Sequence, residues 1–292
     1  MILVTGGTGF VGRHVLEALL AAGKDVRALV RDPKGGASLG SEFVEGDVTD
    51  AASLRRAAEG VDVVVHLVAV RQGKPELFQQ VMVEGTRSLL AAASEAGVRR
   101  FVLMSALGTS EESKDLVPYY GAKWQMELDV KASELPYVIL RPSFIFERDG
   151  GILPTFRKLA KLTPVTPIIG SGEQRIQPIW AGDVAAYFDR AVDLDAATGH
   201  TFELGGPDTV SWNEFWARLK RVLGMRRPSV HVPVGLMKVN ALLTERLPGN
   251  IPLTRDLLKM LEHVDNVVTN DEAVQTFQLP LVPLDEQLRR VA

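Results

Sequence analysis

The chain has 292 residues, of which 46% are hydrophobic, and it carries a formal net charge of -3. This charge gives no electrostatic footprint for nucleic acid, and the absence of cysteine excludes disulfides and thiol chemistry. The five histidines show no metal-ligand spacing, so we predict no metal site. No apolar run is long enough to span a membrane, and a predicted strand rather than a signal peptide begins the chain. We therefore expect a cytoplasmic protein.

A glycine-rich turn follows the first apolar run of the chain. Residues 1–5 predict a strand, and an amphipathic helical pattern begins at Phe10. Strand, glycine-rich turn and helix form the arrangement that holds a dinucleotide pyrophosphate at a helix N-terminus. The residues predicted to contact the dinucleotide are Gly6, Thr8, Gly9, Phe10, Val11 and Gly12. The alternative is a glycine-rich turn that binds no ligand.

Strands and helices alternate through the first half of the chain. Further strands are predicted at 26–30, 43–46, 61–67, 100–105 and 137–140, and a long helix at 78–96. Residues 61–67 are almost continuously apolar, as expected of a parallel strand buried on both faces. The alternation predicts an α/β fold with a doubly wound parallel sheet of the Rossmann type.

The regular alternation breaks after Pro142. Glycines and prolines interrupt residues 150–172, and a helix at 181–192 and a strand at 201–204 follow. From Ser211 onward the pattern is mainly helical.

These changes of pattern predict two interleaved parts. Residues 1–150 with 174–205 form a dinucleotide-binding domain, and residues 151–173 with 206–292 form a smaller part that binds substrate or a partner. In the smaller part, residues 253–261 predict an amphipathic helix that packs against the sheet domain, or alternatively docks on a partner or membrane surface.

Several segments after the glycine-rich turn lie in an order that is typical of one family. They are Gly46-Asp47-Val48, Tyr119-Tyr120-Gly121-Ala122-Lys123, Leu140-Arg141-Pro142-Ser143, Ile179-Trp180-Ala181-Gly182-Asp183-Val184-Ala185 and Phe202-Glu203-Leu204-Gly205-Gly206-Pro207. With the turn, they resemble the extended and atypical short-chain dehydrogenase/reductases, a group that includes NAD-dependent epimerases and dehydratases. Within that group the chain is most similar to the branch of the nucleotide-binding accessory subunit of respiratory complex I. The resemblance implies that the chain binds NAD(P)(H).

The end of the second strand bears on which nicotinamide cofactor is bound. In NAD-binding relatives an acid there binds the adenosine ribose, but here Val30 takes its place and Arg31 follows. An arginine can pair with a 2′-phosphate, so NADP(H) is favoured and NAD(H) is the alternative. A surface Arg31 paired with Asp32 is the competing interpretation. Asp47 and Val48 are predicted on the adenine side, unless Asp47 is only a turn or capping carboxylate.

Tyr119 and Lys123 lie four residues apart, which places them on one face of a helix. The resemblance implies that Tyr119 exchanges a proton with the substrate, and that Lys123 tunes Tyr119 and holds the nicotinamide ribose. An ammonium nearby favours the phenolate, so we expect the pKa of Tyr119 to lie below its usual value of about 10. A chance helical pair is the alternative.

Two positions depart from the family pattern. In this chain Leu107 occupies the position of the family's substrate-polarising serine or threonine. Ser105 is the catalytic candidate if the loop places it differently, and Thr109 and Ser110 are further candidates that we expect in solvent. Many relatives have a helix asparagine that supports proton relay, and in this chain Met82 occupies that position. Because losing one oxyanion donor costs about 3 kcal/mol of transition-state stabilisation, both departures weaken the prediction of catalysis but leave cofactor binding intact.

The favoured function is an NADPH-dependent oxidoreductase that acts on a small carbonyl or quinone-like substrate. The first alternative is a catalytically weak dinucleotide-binding sensor or accessory protein of a respiratory or quinone-related complex. The second is a nucleotide-sugar epimerase or dehydratase. A protein partner or a homodimer is compatible with each, and the sequence does not identify the substrate.

Overall fold

A computed structural model of the chain describes residues 1–32, 34, 40–148, 150–151, 153, 164–237, 254–263, 266–268 and 271–291. The chain divides into two compact units. Unit 1 comprises Met1–Pro142, Ala181–Leu204 and Thr269–Pro280, and unit 2 comprises Ser143–Trp180, Gly205–Val268 and Leu281–Ala292. The assignment of dinucleotide binding to one part and substrate binding to the other stays a prediction.

The regular elements are numbered in chain order. The strands are β1 (Ile2–Thr5), β2 (Val26–Val30), β3 (Glu42–Glu45), β4 (Val63–His66), β5 (Arg100–Met104), β6 (Tyr137–Pro142), β7 (Ile145–Phe146), β8 (Thr166–Ile169), β9 (Arg175–Ile176), β10 (Ile179–Trp180), β11 (His200–Leu204), β12 (Val210–Ser211) and β13 (Ser229–Val232). The α-helices are α1 (Phe10–Ala21), α2 (Ala51–Ala58), α3 (Pro75–Phe78), α4 (Gly85–Glu95), α5 (Pro118–Ala132), α6 (Ala181–Ala191), α7 (Trp212–Val222), α8 (Arg255–His263), α9 (Glu272–Phe277) and α10 (Leu284–Val291). A π-helical segment, Gln79–Glu84, joins α3 to α4, and a 3-10 turn lies at Asp195–Ala197.

Seven parallel strands form the sheet of unit 1, in the order β3-β2-β1-β4-β5-β6-β11. Every residue of β1 and β4 is buried, and this burial explains why both segments are mainly apolar in the sequence. The strand order reverses between β1 and β4, and open α/β sheets bind ligands beyond the carboxyl ends of the strands at such a point. The predicted doubly wound parallel sheet is confirmed.

Helix α1 begins directly after the glycine-rich turn and packs one aliphatic face into unit 1. Its buried positions are Val11, Gly12, Val15, Leu16 and Leu19. Burying each large aliphatic side chain stabilises the fold by about 2 kcal/mol, so this face fixes the start of the helix against the sheet. The helix ends two residues before Gly23, which has a φ of +73° and donates its N–H to Leu20 O at 2.9 Å.

Unit 2 combines short strand pairs with helices. β7 pairs with β10, β9 with β12 and β8 with β13. Its core includes Phe146, Phe215 and Trp216, and α7 begins with a capping box in which Ser211 and Glu214 bond each other's backbone. The predicted helical character after Ser211 is confirmed for α7, α8 and α10, whereas β13 was not predicted. Leu253, the first residue of the predicted amphipathic helix, lies outside the described residues, and the described helix begins at Arg255.

None of the helices among the described residues combines the length and the apolar character that crossing a membrane requires.

Candidate functional site

The glycine-rich turn presents backbone atoms to a ligand. Gly6 has a φ of +78°, and the Gly9 N–H donates to Gly6 O at 3.0 Å. A Cβ on Gly12 would lie 2.1 Å from Gly6 O, so only glycine fits there. Gly9 caps α1 without a side-chain hydrogen bond, and the first turn carries no acidic residue. The first N–H groups of α1 are therefore available to a phosphate at the positive end of the helix dipole.

The other predicted contact residues of the turn lie around this helix start. Thr8 is exposed at the tip, Phe10 is half-buried, and the side chain of Val11 belongs to the core. Val11 can therefore face a ligand only through its N–H. The contacts of these residues with a dinucleotide stay a prediction.

Arg31 lies directly after β2, whose last residue Val30 is buried. Its side chain is 84% exposed, and Nε lies 4.0 Å from Oδ2 of Asp47. Asp47 Oδ1 accepts hydrogen bonds from the backbone N–H of Thr49 at 2.9 Å and from the Thr49 hydroxyl at 2.8 Å. Through this oxygen, the Asp47 carboxylate stabilises the turn. The ion pair of Arg31 is thus with Asp47, and Asp32 instead accepts a backbone N–H. An exposed pair at this distance is weak, which leaves Arg31 able to bind a phosphate.

Tyr119 and Lys123 come together in the first turns of α5. Lys123 is fully buried, and its Nζ donates to the carbonyl of Met104 at 2.6 Å, at the carboxyl end of β5. The same Nζ lies 5.9 Å from the centre of the Tyr119 ring. The helical spacing that predicted a shared face therefore places the ammonium beside the ring, at the sheet edge from which the glycine-rich turn also leaves β1.

The expected ionisation of Tyr119 is wrong in direction. Burial, the larger cause, and the neighbouring Tyr120 raise the pKa of Tyr119, while Arg71 opposes them. Burial also lowers the pKa of Lys123 to about 7, against the opposing charge of Glu127. The phenol therefore stays protonated at neutral pH, which suits a proton donor rather than a base.

A directed chain of hydrogen bonds links the end of β1 to the π-helical segment. His66 is fully buried, and burial together with Lys123 lowers its pKa to about 3, so the ring is neutral. Its Nδ1 lies 2.6 Å from Thr5 Oγ1 and its Nε2 lies 3.0 Å from Thr86 Oγ1. Thr86 donates its only proton to Met82 O at 2.5 Å, so Nε2 must donate and Nδ1 must accept. The sequence signal for this chain was a lone histidine inside the apolar run 61–67.

Ser105 lies in a second buried network, directly after β5. Its Oγ donates to Glu127 Oε1 at 2.5 Å. Glu127 has no exposed side-chain surface, and it also accepts from Arg141 Nε at 2.8 Å and from Nη2 at 2.6 Å. Among the described contacts, Ser105 is thus joined to Glu127 rather than to Tyr119, and its catalytic role stays a prediction.

The loop after β5 is more buried than its polar composition indicated. Thr109 was expected in solvent but is 1% exposed, and its Oγ1 has no hydrogen-bond partner among the described residues. The reason is that this loop packs on the start of α5, where the Tyr120 hydroxyl lies 3.4 Å from Leu107 O. Ser110 is half-buried and bonds Ser113. The sequence departures at Leu107 and Met82 are buried apolar side chains.

Known proteins match both the sequence and the fold. A family model described as NAD(P)H-binding matches residues 6–162. A ceramide reductase of Caulobacter vibrioides is 32% identical over 252 residues, which cover 83% of this chain and 77% of that protein. The mitochondrial NADH dehydrogenase (ubiquinone) 1 alpha subcomplex subunit 9 of Rattus norvegicus is 27% identical over an alignment of 305 positions, gaps included, that covers 98% of this chain and 79% of that protein. An Escherichia coli NADPH-dependent quinone oxidoreductase, solved with NADPH, shares the fold at a TM-score of 0.80 and 20% identity, covering 99% and 98%.

Proposed function

The chain belongs to the NAD(P)H-binding family of extended and atypical short-chain dehydrogenase/reductases, and on that premise we propose that it is an NADPH-dependent reductase of a small carbonyl or quinone-like substrate. The observation that carries the proposal is the position of Lys123, whose Nζ lies 5.9 Å from the centre of the Tyr119 phenol ring on the same helix face. A reductase needs a group that gives up a proton as hydride arrives, and this pair supplies one. The names of the ceramide reductase and the quinone oxidoreductase agree with this class of reaction.

The residues present fit a nicotinamide dinucleotide. The uncapped N–H groups of α1 would bind its pyrophosphate, and a side chain at Gly12 would close that space. Lys123 donates one N–H to Met104 O, which leaves two ammonium donors for ribose hydroxyls. The cofactor, when bound, supplies the hydride, and Tyr119 donates its hydroxyl proton to the substrate oxygen.

We also propose that Arg31 selects NADPH over NADH. Its guanidinium is exposed at the end of β2 and held only loosely by Asp47. A 2′-phosphate there would form charge-assisted hydrogen bonds that a 2′-hydroxyl cannot match. The Asp47 and Val48 contacts on the adenine side stay predictions.

Tyr119→Phe tests the proton donor. We expect kcat/KM over a panel of carbonyls and quinones to fall about a hundredfold, with the Kd of NADPH unchanged, because only a positioned acid is removed. Tyr137→Phe, the same chemical change at the start of β6, is the matched control. Equal turnover by Tyr119→Phe and the wild type, or no turnover by the wild type, would contradict a reductase that uses this phenol.

A catalytically weak accessory role is the second candidate, and the network of Ser105 favours it. Its hydroxyl proton is committed to Glu127, and the side chains of Leu107 and Met82 are buried and apolar. A substrate oxygen would then lack the second donor of standard relatives. This candidate predicts tight NADPH binding without turnover. A protein partner, a homodimer and a cytoplasmic location stay predictions.

A further inference from the structure

We propose that Glu127 is the positioning residue of this site: its carboxylate holds Ser105 as an acceptor at the end of β5 and places a negative charge one helical turn from the Lys123 ammonium. This inference rests on the proposed function, because it concerns how Lys123 and Ser105 serve the cofactor and the substrate. In this proposal Ser105 accepts a hydrogen bond from a ligand and does not polarise the substrate oxygen.

The buried carboxylate of Glu127 ties one helix to two strand ends. Ser105 directly follows β5, and Arg141 lies in β6. Ser105 and the Arg141 fork together make three hydrogen bonds to the carboxylate, and the Lys131 Nζ lies 3.8 Å from Oε2. A buried charge that is partnered on both oxygens is costly to move, so these contacts fix α5 against the strand ends.

The polarity of the Ser105 contact follows from proton counting. A serine hydroxyl carries one proton, and a carboxylate paired with an arginine can only accept. The 2.5 Å contact with Glu127 therefore consumes the one proton that Ser105 could donate. Ser105 can accept a hydrogen bond from a ligand, but it cannot polarise a substrate oxygen while this contact holds.

The charge of Glu127 acts on Lys123. Among the described residues, the titratable groups that interact with Lys123 are Tyr119 and Glu127 of its own helix and His66 of β4, with Arg141 of β6 bound to Glu127. The phenol and the imidazole are neutral, so Glu127 supplies the negative charge among them. Because burial lowers the pKa of Lys123 to about 7 and Glu127 opposes that shift, the carboxylate raises the fraction of Lys123 that is protonated at neutral pH.

The test is the pH profile of NADPH binding, measured by calorimetry between pH 5 and pH 9. Affinity should decline as the pH rises and Lys123 loses its proton. In Glu127→Gln we expect the midpoint of this decline to move about one pH unit lower, because the opposing charge is gone.

Asp129→Asn is the matched control for Glu127→Gln. Asp129 lies on the same helix, is also bonded to an arginine, with Arg87 Nε at 2.8 Å, and loses the same charge. It should keep the wild-type midpoint, since Arg87 is its partner. An unmoved midpoint in Glu127→Gln, or an equal shift in both variants, would overturn the proposal.

Ser105→Ala decides the second half of the proposal even if Glu127→Gln does not fold. We expect kcat/KM to fall less than about tenfold, since only a positioning contact is lost. A loss of about a hundredfold in kcat at constant KM would instead identify Ser105 as the donor that polarises the substrate, and it would overturn the proposal. A wild type that binds NADPH but shows no turnover would refute the reductase function alone, because the binding midpoints still test Glu127.

Discussion

The glycine-rich turn and helix α5 are predicted to hold the same cofactor by opposite means. The turn offers backbone N–H groups, and its shape requires that Gly6 and Gly12 carry no side chain. Helix α5 offers the side chains of Tyr119 and Lys123, whose ionisation depends on what buries them. A site built from backbone can therefore be derived from sequence, whereas the protonation states of a side-chain site depend on the residues around it.

Acid should disrupt first the hydrogen-bond chain through His66, which joins the end of β1, directly before the turn, to the π-helical segment. The folded pKa of His66, about 3, lies below its usual value, so the stability that its burial contributes is present above about pH 6.5 and is lost as the pH falls toward 3. Between pH 7 and pH 4 this loss should be on the order of 3 kcal/mol in the free energy of unfolding by urea.

His66→Gln removes the titrating ring and should remove that part of the acid sensitivity. The control, His231→Gln, changes an exposed histidine and should leave the acid sensitivity as in the wild type. Equal slopes of unfolding free energy against pH in His66→Gln and the wild type would show that His66 is not neutral in the fold.

Gly12→Ala tests the backbone half of the comparison. The added Cβ would lie 2.1 Å from Gly6 O, so the turn must open. We expect the affinity for NADPH to fall about a hundredfold, or about 2.7 kcal/mol, in a calorimetric titration. Gly235→Ala, where a Cβ meets open space, should bind NADPH as the wild type does. Unchanged affinity in Gly12→Ala would place the phosphates elsewhere.

Arg31→Ala tests recognition by a side chain at the predicted adenosine end of the cofactor. Removing the guanidinium should weaken NADPH binding about tenfold, or about 1.4 kcal/mol, and leave NADH binding nearly unchanged. Arg55→Ala removes an arginine that pairs with Glu95 on exposed helix surface, and it should affect neither cofactor. Equal losses for NADPH and NADH in Arg31→Ala would reject recognition of a 2′-phosphate.

Of these substitutions, Thr109→Val should have the smallest effect on the protein, and the effect is on the free energy of unfolding. The Thr109 hydroxyl is buried without a partner among the described residues, so its removal should raise the free energy of unfolding by about 0.5 kcal/mol. Thr198→Val should instead cost about 1 kcal/mol, because its hydroxyl accepts from Arg100 at 2.8 Å. A loss in Thr109→Val as large as that in Thr198→Val would reveal a partner for Thr109.

The sequence predicted the sheet and the turn because their residues have few alternatives. Buried parallel strands must be apolar on both faces, and Gly12 has no room for a Cβ. The burial of Thr109 and the raised pKa of Tyr119 were beyond such reasoning, since both depend on which residues from elsewhere in the chain cover these side chains. The π-helical segment was missed as well, because its residues suit an α-helix equally.

That π-helical segment sets the rotational phase of the helix that follows it. Each residue of an α-helix turns the chain by about 100°, so deleting one residue within Gln79–Glu84 to restore an α-helical ladder would rotate α4 by about that angle. The Thr86 hydroxyl would then swing away from His66. In this part of the chain, a change of length by one residue is therefore more disruptive than most exchanges of one side chain for another.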